Sequence, residues 1–447
     1  MHASITQRLI NGFSANVYGQ TINVCIQLFG VPILLHFWGP RLYGEWLILS
    51  AIPVYLSMSD LGLAQSAGND MTQRVARGDQ QGALIVFHTI GALIALCSLA
   101  GLAVIIILLT VTPIPDLLPV QLLSPRKAAW VVGLLSADVL ILINEGTIHA
   151  GFRANGGYAF HTAFYSSVLF AQNAFLWVSA AAGGDPVAGA AVFLLLRLVT
   201  TPLAASLLVR KYEWITIGVS HARWQDLRLL FRPALANLAF PLTQSLNIQG
   251  MRLAVGTTMG PIAVVVFTTL RTLTRLILQA GATIIHAFEP EMAAAYGSDN
   301  LCLLRKFYIQ ATQLTVVITF GLAGILYWTS DWILTFWTHG TVTMDSRLFG
   351  WLMASTMTGT FWYGSLIVLK AANRHLRAAV FSMIAAALAL VLAYGILVDT
   401  DRLSDVGFVL MLMDAAVAVY LIPIACRLTG ENWQRFLRQL LNVCCRS

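Results

Sequence analysis

The chain reads as a succession of long apolar blocks separated by short breaks rich in Gly, Pro and charge. Residues 83–111, 378–398 and 406–426 are each long enough, as helices rising about 1.5 Å per residue, to cross a hydrocarbon core of about 30 Å. Twelve such blocks are predicted as spans: 11–37, 43–68, 83–111, 127–147, 161–182, 187–209, 233–256, 260–288, 306–330, 346–370, 378–398 and 405–427. None alternates with a period of two, and the bilayer offers backbone groups no water, so helices are expected rather than barrel strands. The predicted fold class is an all-α polytopic membrane protein of about 12 transmembrane helices. Trp38, Trp46, Trp130, Trp214 and Trp332 lie near span ends, where an aromatic belt is expected.

The spans fall into two similar sets. A shift of 221 residues brings Gly39-Pro40 onto Gly260-Pro261, Asn16 onto Asn237 and Asn23 onto Gln244 without a gap. Two six-helix lobes are therefore expected, 1–209 and 233–427, joined by a basic linker at 210–232 and followed by a tail at 428–447. Because six is even, both lobes would enter the membrane with the same orientation, related by a pseudo-two-fold axis along its normal. Linker and tail both look amphipathic: Trp224, Leu227, Leu230 and Phe231 share one face, as do Trp433, Phe436, Leu437, Leu440 and Leu441. Each is expected to lie along the inner headgroups, with bilayer lipid as its partner.

Basic loop residues set the orientation. The linker alone carries Arg210, Lys211, Arg223, Arg228 and Arg232, as many as all the outer segments together, which hold Arg41, Arg126, Lys127, Arg347 and Arg402. Both termini are placed in the cytoplasm. The net charge of +7 is then a matter of topology, and no nucleic-acid partner is expected. With 58% hydrophobic and 11% charged residues, a water-soluble fold is excluded. The six cysteines show no metal-ligand spacing, so neither a metal site nor a disulfide is expected. The first apolar run reads as a retained span rather than a signal peptide.

Polar residues inside the spans carry the functional signal. Asn16, Gln20, Asn23 and Gln27 recur at steps of 4, 3 and 4, which puts four amides on one side of the first span. Its repeat partner offers Asn237, Gln244 and Asn247. Two readings are open: hydrogen-bonding glue between helices, or the lining of a shared cavity. In the eighth span Arg271, Arg275, Gln279, Thr283 and His286 form a stripe, and Arg252 and Arg197 also lie away from any loop. A buried arginine costs about 2.5 to 3.5 kcal/mol even on the lenient insertion scale, so these side chains are not expected to face lipid. The intramembrane acids are Asp60, Asp138, Glu145 and Asp414. They read either as ion-pair partners or as groups that take and lose a coupling ion, Asp138 first and Asp60 second. The arginines at 197, 252, 271 and 275 suit a phosphate or pyrophosphate, since guanidinium offers a fixed fork of donors.

The stretch Phe37-Trp38-Gly39-Pro40-Arg41-Leu42-Tyr43-Gly44-Glu45-Trp46, with Ser59-Asp60-Leu61-Gly62-Leu63 and the loop 69–79, resembles the polysaccharide transporter branch of the multidrug/oligosaccharidyl-lipid/polysaccharide exporter superfamily. These are the O-antigen and exopolysaccharide repeat-unit flippases of the bacterial inner membrane. The resemblance implies two lobes in a V, alternating access, a cationic lumen, and undecaprenyl-pyrophosphate-linked oligosaccharide as substrate. It also implies a cation gradient, H+ or Na+, as driver, with a polysaccharide polymerase and a chain-length regulator as candidate partners. No catalytic residue and no cofactor carries over. The two extra spans of the related lipid II flippases are absent here. The nearest alternative is a multidrug/cation antiporter of the same superfamily, whose cationic substrates the arginines would repel. A glycan polymerase or glycosyltransferase is disfavoured, because the longest outer segment, 112–126, holds a single acid, Asp116.

Overall fold

The computed structural model describes residues 5–58, 62–111, 120–223, 238–372 and 374–444, and among these every regular element is a helix. In chain order they are α1 (Ile5–Leu56), α2 (Leu63–Ala76), α3 (Gln80–Val111), α4 (Pro125–Ala154), α5 (Tyr158–Ala181) and α6 (Pro186–Lys211). A π-helical turn, Leu246–Gly250, then leads into α7 (Met251–Gly297). α8 (Leu301–Thr338), α9 (Ser346–Ala371), α10 (Leu376–Thr400), α11 (Ser404–Leu428) and α12 (Trp433–Cys444) follow. Among the described residues, nine helical runs are long and apolar enough to cross a membrane. Two of them, Asn11–Leu56 and Leu238–Gly297, have 46 and 60 residues, about twice what one crossing needs. Counting each as a pair, and adding the more polar α5, gives the twelve crossings expected from sequence.

What divides those two long runs is the repeated Gly-Pro. Gly39 has φ 69° and ψ 171°, and Gly260 has φ 82° and ψ −179°, one backbone conformation at equivalent places in both sets of spans. An L side chain rarely adopts it, at a cost of about 1–3 kcal/mol, and the following proline disfavours helical backbone in the residue before it. A Cβ at either glycine would meet nothing within 4 Å, so the demand is conformational and not steric. Gly260→Ala is therefore expected to cost about 1–3 kcal/mol. Gly350→Ala, in open space inside α9, is expected to be neutral or mildly stabilising. Thermal unfolding in detergent checks both; equal melting temperatures for the two variants would refute the strain argument.

One predicted span differs. The block 43–68 is not continuous: α1 ends at Leu56, and α2 begins only after Gly62 at φ 73°. The Ser57 hydroxyl donates to the Val54 carbonyl at 2.6 Å, taking an acceptor of the last turn, which is how serine ends helices. The corresponding stretch of α7 runs unbroken.

The chain forms two compact units, Met1–Ser245 and Leu246–Ser447, divided inside the seventh predicted span rather than in the 210–232 linker. The apolar face proposed for the linker, Trp224 to Phe231, lies outside the described residues. Unit 1 is cored by Met71, Ile90, Phe152 and Leu208. At one end of this unit, Glu45 is fully buried and accepts hydrogen bonds from the backbone N–H groups of Gln121 and Leu122, both at 2.6 Å, and Leu123 at 3.0 Å. It fixes the approach to α4. At the same loops Asp185 caps α6 through Val187 and Ala188, and the Lys127 ammonium 2.8 Å away holds its carboxyl below the usual range. Trp46, expected in an interfacial belt, is instead buried against Trp38 and Phe193, whereas Trp130 and Trp332 are exposed.

Unit 2 is cored by Met292, Tyr308 and Ile367, and the tail helix α12 completes that core. Phe436 stacks on Tyr308 at 4.6 Å, Leu440 is buried, and Arg305 pairs with Glu431. Phe436 and Leu440 of the tail's apolar face thus pack on protein, where α8 offers an aromatic face and a charge partner to receive them. Trp433 alone of its described apolar residues is exposed.

Candidate functional site

Intramembrane charge is gathered in two places, one in each unit. In unit 1, α4 presents Asp138 and Glu145 two turns apart on one face, α5 presents Gln172, and α6 presents Arg197. Arg197 Nε donates to Asp138 Oδ1 at 3.1 Å, Nη1 to Glu145 Oε2 at 2.9 Å and Nη2 to Gln172 Oε1 at 3.0 Å. Gln172 Nε2 donates to Asp138 Oδ1 at 3.0 Å and to the Phe193 carbonyl at 2.9 Å. Arg197, Asp138, Glu145 and Gln172 are all almost completely buried.

This corrects the sequence reading of Arg197. It belongs not to a cationic cavity but to a lock across three helices, its guanidinium engaged by two carboxylates and an amide. Asp138, first choice as an ion carrier, is the more fully engaged carboxylate of the two.

Two functional candidates escaped sequence reasoning altogether. His149 lies one turn beyond Glu145 on α4, and His161 lies on α5; their Nδ1 atoms are 2.9 Å apart. His161 Nε2 faces Glu145 Oε1 at 3.8 Å. Both histidines, Glu145, Arg153, Tyr158 and Tyr165 line a cavity of about 440 Å³ inside unit 1. The i,i+4 spacing of Glu145 and His149 was the signal that could have revealed it.

The first-span amides sit at the edge of the same unit. Asn16, Gln20 and Asn23 are exposed and Gln27 is half-buried. The Tyr158 hydroxyl donates to Asn16 Oδ1 at 2.9 Å.

In unit 2 the arginines of the predicted stripe do come together, around the π-helical turn. A π turn carries one extra residue and leaves a carbonyl out of the helical ladder. Here Arg271 Nη1 donates to the Asn247 carbonyl at 2.7 Å and its Nη2 to the same residue's side-chain Oδ1. Arg252 Nη1 donates to Gln249 Oε1 at 3.2 Å. Arg275, one turn beyond Arg271 and half-buried, has no hydrogen bond or carboxylate within ion-pair distance among the described residues.

Asp414 is the buried acid within the spans of this unit, and it accepts from the Ser355 hydroxyl at 2.5 Å and from Trp362 Nε1 at 3.2 Å, with no arginine among its hydrogen-bond or ion-pair partners in the described residues. Within the spans of this unit, three guanidiniums therefore stand beside one buried carboxylate whose hydrogen bonds go elsewhere. Farther along the stripe Gln279 is half-buried and Thr283 exposed, and His286 contacts Glu289 Oε2 at 2.8 Å and the Tyr363 hydroxyl at 3.0 Å. Gln244 is exposed, and the Asn247 amide donates to Met413 Sδ at 3.7 Å. Asp60 and Asn237 lie outside the described residues.

The fold is one already seen in solved structures. An inward-facing structure of a multidrug resistance MATE family transporter of the MOP superfamily matches with a TM-score of 0.71 at 17% identity, over 91% of this chain and 98% of that one. The MATE multidrug transporter DinF-BH matches at 0.67 and 13% identity, over 95% and 96%. An outward-facing MATE family transporter structure matches at 0.57 and 17%, over 95% and 94%. No protein-family model and no curated protein matches the chain. At these identities the likeness establishes the fold: a multi-pass, all-helical architecture of two lobes.

Proposed function

We propose that this chain is a membrane transporter that moves an anionic lipid-linked substrate from one leaflet to the other, the charged headgroup lodging at Arg252, Arg271 and Arg275. The observation that carries this reading is the charge balance within the membrane spans of unit 2, three guanidiniums against the buried carboxylate of Asp414, which is hydrogen-bonded elsewhere. Retaining three arginines in the membrane costs about 8–10 kcal/mol on the lenient insertion scale, and a bound diphosphate would offset it by neutralising them. Guanidiniums remain charged when desolvated and offer paired donors to oxyanions. The substrate class that fits best is undecaprenyl-pyrophosphate-linked oligosaccharide, moved across the bacterial inner membrane by alternating access with a cation as driver, for surface polysaccharide assembly. A polymerase and a chain-length regulator are the expected downstream partners.

A second reading, a multidrug/cation antiporter, is favoured by the fold neighbours, which are multidrug transporters by name. It requires a site that attracts lipophilic cations, and the unit 2 arginines oppose that. One assay separates the two: proteoliposomes offered, in parallel, a fluorescent undecaprenyl-pyrophosphate oligosaccharide and a lipophilic cationic dye. Translocation of the lipid without dye export is expected. Dye export without lipid translocation would replace the first reading with the second.

A further inference from the structure

Unit 1 holds an unbalanced charge that the lock does not use. Arg197 is the one guanidinium between Asp138 and Glu145, so with both acids ionised the buried cluster carries one excess negative charge. Asp138 Oδ1 is filled by Arg197 and Gln172, and Glu145 Oε2 is filled by Arg197. Among the described residues Glu145 Oε1 has no hydrogen-bond partner, and neither has His161 Nε2 opposite it, although both residues are about 2% exposed. These two polar atoms face each other across 3.8 Å, within ion-pair distance, on the wall of the cavity, and a proton on either would give the other a partner.

We propose that Glu145 and His161 together bind a single proton, that this proton is the coupling ion of the transport cycle, and that it enters by way of His149. The proton class follows from the donor set. A sodium or calcium ion takes several oxygen ligands, whereas this gap is closed on one side by an imidazole nitrogen and has a guanidinium beside it. Imidazole and carboxylate can share a proton between them, and its arrival cancels the excess charge. The ring contact supplies the route: one of the two Nδ1 atoms must donate to the other, so a proton taken up by His149 passes to His161 by an exchange of tautomers. All three residues line the cavity, His149 half-buried and His161 and Glu145 almost completely buried.

The groups facing the pair from neighbouring helices are few. They are Asp138 and Arg153 on α4, the latter donating to Asn69 on α2 at 2.8 Å, Tyr158 and Tyr165 on α5, Arg197 and Thr201 on α6, and the neutral Asn16 on α1. Arg153 at the cavity rim repels a metal cation and leaves the path to a carrier that can hop between ring nitrogens.

This inference rests on the transporter reading for its role in coupling but not for proton binding itself, so two measurements are needed. In the purified full-length protein without substrate, difference infrared spectra between mildly acidic and mildly alkaline pH are expected to show a carboxyl band. That band should be lost in Glu145→Gln, shifted in His161→Gln and unaffected by sodium. In proteoliposomes, an imposed pH gradient is expected to accelerate wild-type translocation several-fold, whereas in His161→Gln the ratio of rates with and without the gradient falls to unity. His149→Gln, which breaks no ion pair, is expected to keep the band but slow the gradient response, and it carries the test if Glu145→Gln does not fold. An unchanged band and an unchanged gradient response in His161→Gln would overturn the proposal, as would acceleration by a sodium gradient alone. A titrating carboxyl in a protein that moves no lipid would leave the proton site standing and remove the substrate reading instead.

Discussion

Arg197→Met will destabilise the protein severely, by about 3–5 kcal/mol, the range expected when one partner of a buried ion pair is removed and the rest stays uncompensated. The variant would strand Asp138 and Glu145 together, two almost completely buried carboxylates with one amide and no cation between them. Thermal unfolding in detergent, followed by the fluorescence of unit 1 tryptophans, reads the loss. The triple variant Asp138→Asn/Glu145→Gln/Arg197→Met is expected to recover most of it, because it leaves no unpaired charge. A single variant as stable as wild type would mean that Arg197 is not the lock described here.

Arg275→Ala will have the opposite profile. Arg275 has no partner among the described residues and adds to the positive charge of Arg252 and Arg271, so its removal is expected to leave melting unchanged or slightly raised. Transport is where the loss should appear. A hydrogen bond to a charged group contributes about 1.5–3 kcal/mol, so headgroup affinity should fall roughly 10- to 100-fold. Arg271→Ala/Arg275→Ala is expected to abolish translocation, although Arg271 also ties the π-helical turn through Asn247 and some stability will go with it. Binding of inorganic pyrophosphate to purified protein, measured by calorimetry for wild type and both variants, checks the sequence of affinities. Equal binding by all three would make the arginines structural.

The contrast between these arginines shows what a linear sequence can and cannot display. The spans were legible because crossing a bilayer demands a run of apolar residues, a property of neighbours in the chain. The Gly-Pro repeat was legible for the same reason, and so was the α7 stripe, since residues three and four apart on one helix share a face. Arg197 was not, because its partners come from α4 and α5 and nothing in its own helix announces them. The π-helical turn at Leu246–Gly250 left no sequence signal that was read, yet it presents the carbonyl that holds Arg271. The end of α1 at Leu56 does not show in the apolar pattern, because Ser57 and Gly62 act on backbone geometry. His149 and His161 stand twelve residues apart in the chain, and only the approach of α4 to α5 makes them a pair.

The bends at Gly39 and Gly260 bear on how the protein is made. Each joins two helices through a single non-helical residue, with no loop between them. A membrane-insertion machinery that handles one span at a time meets a single charge, Arg41, at the first bend and none at the second, so each pair should leave it together. On that view biosynthesis proceeds in fewer steps than the number of crossings, and the glycine conformation is set before the second helix of each pair meets lipid.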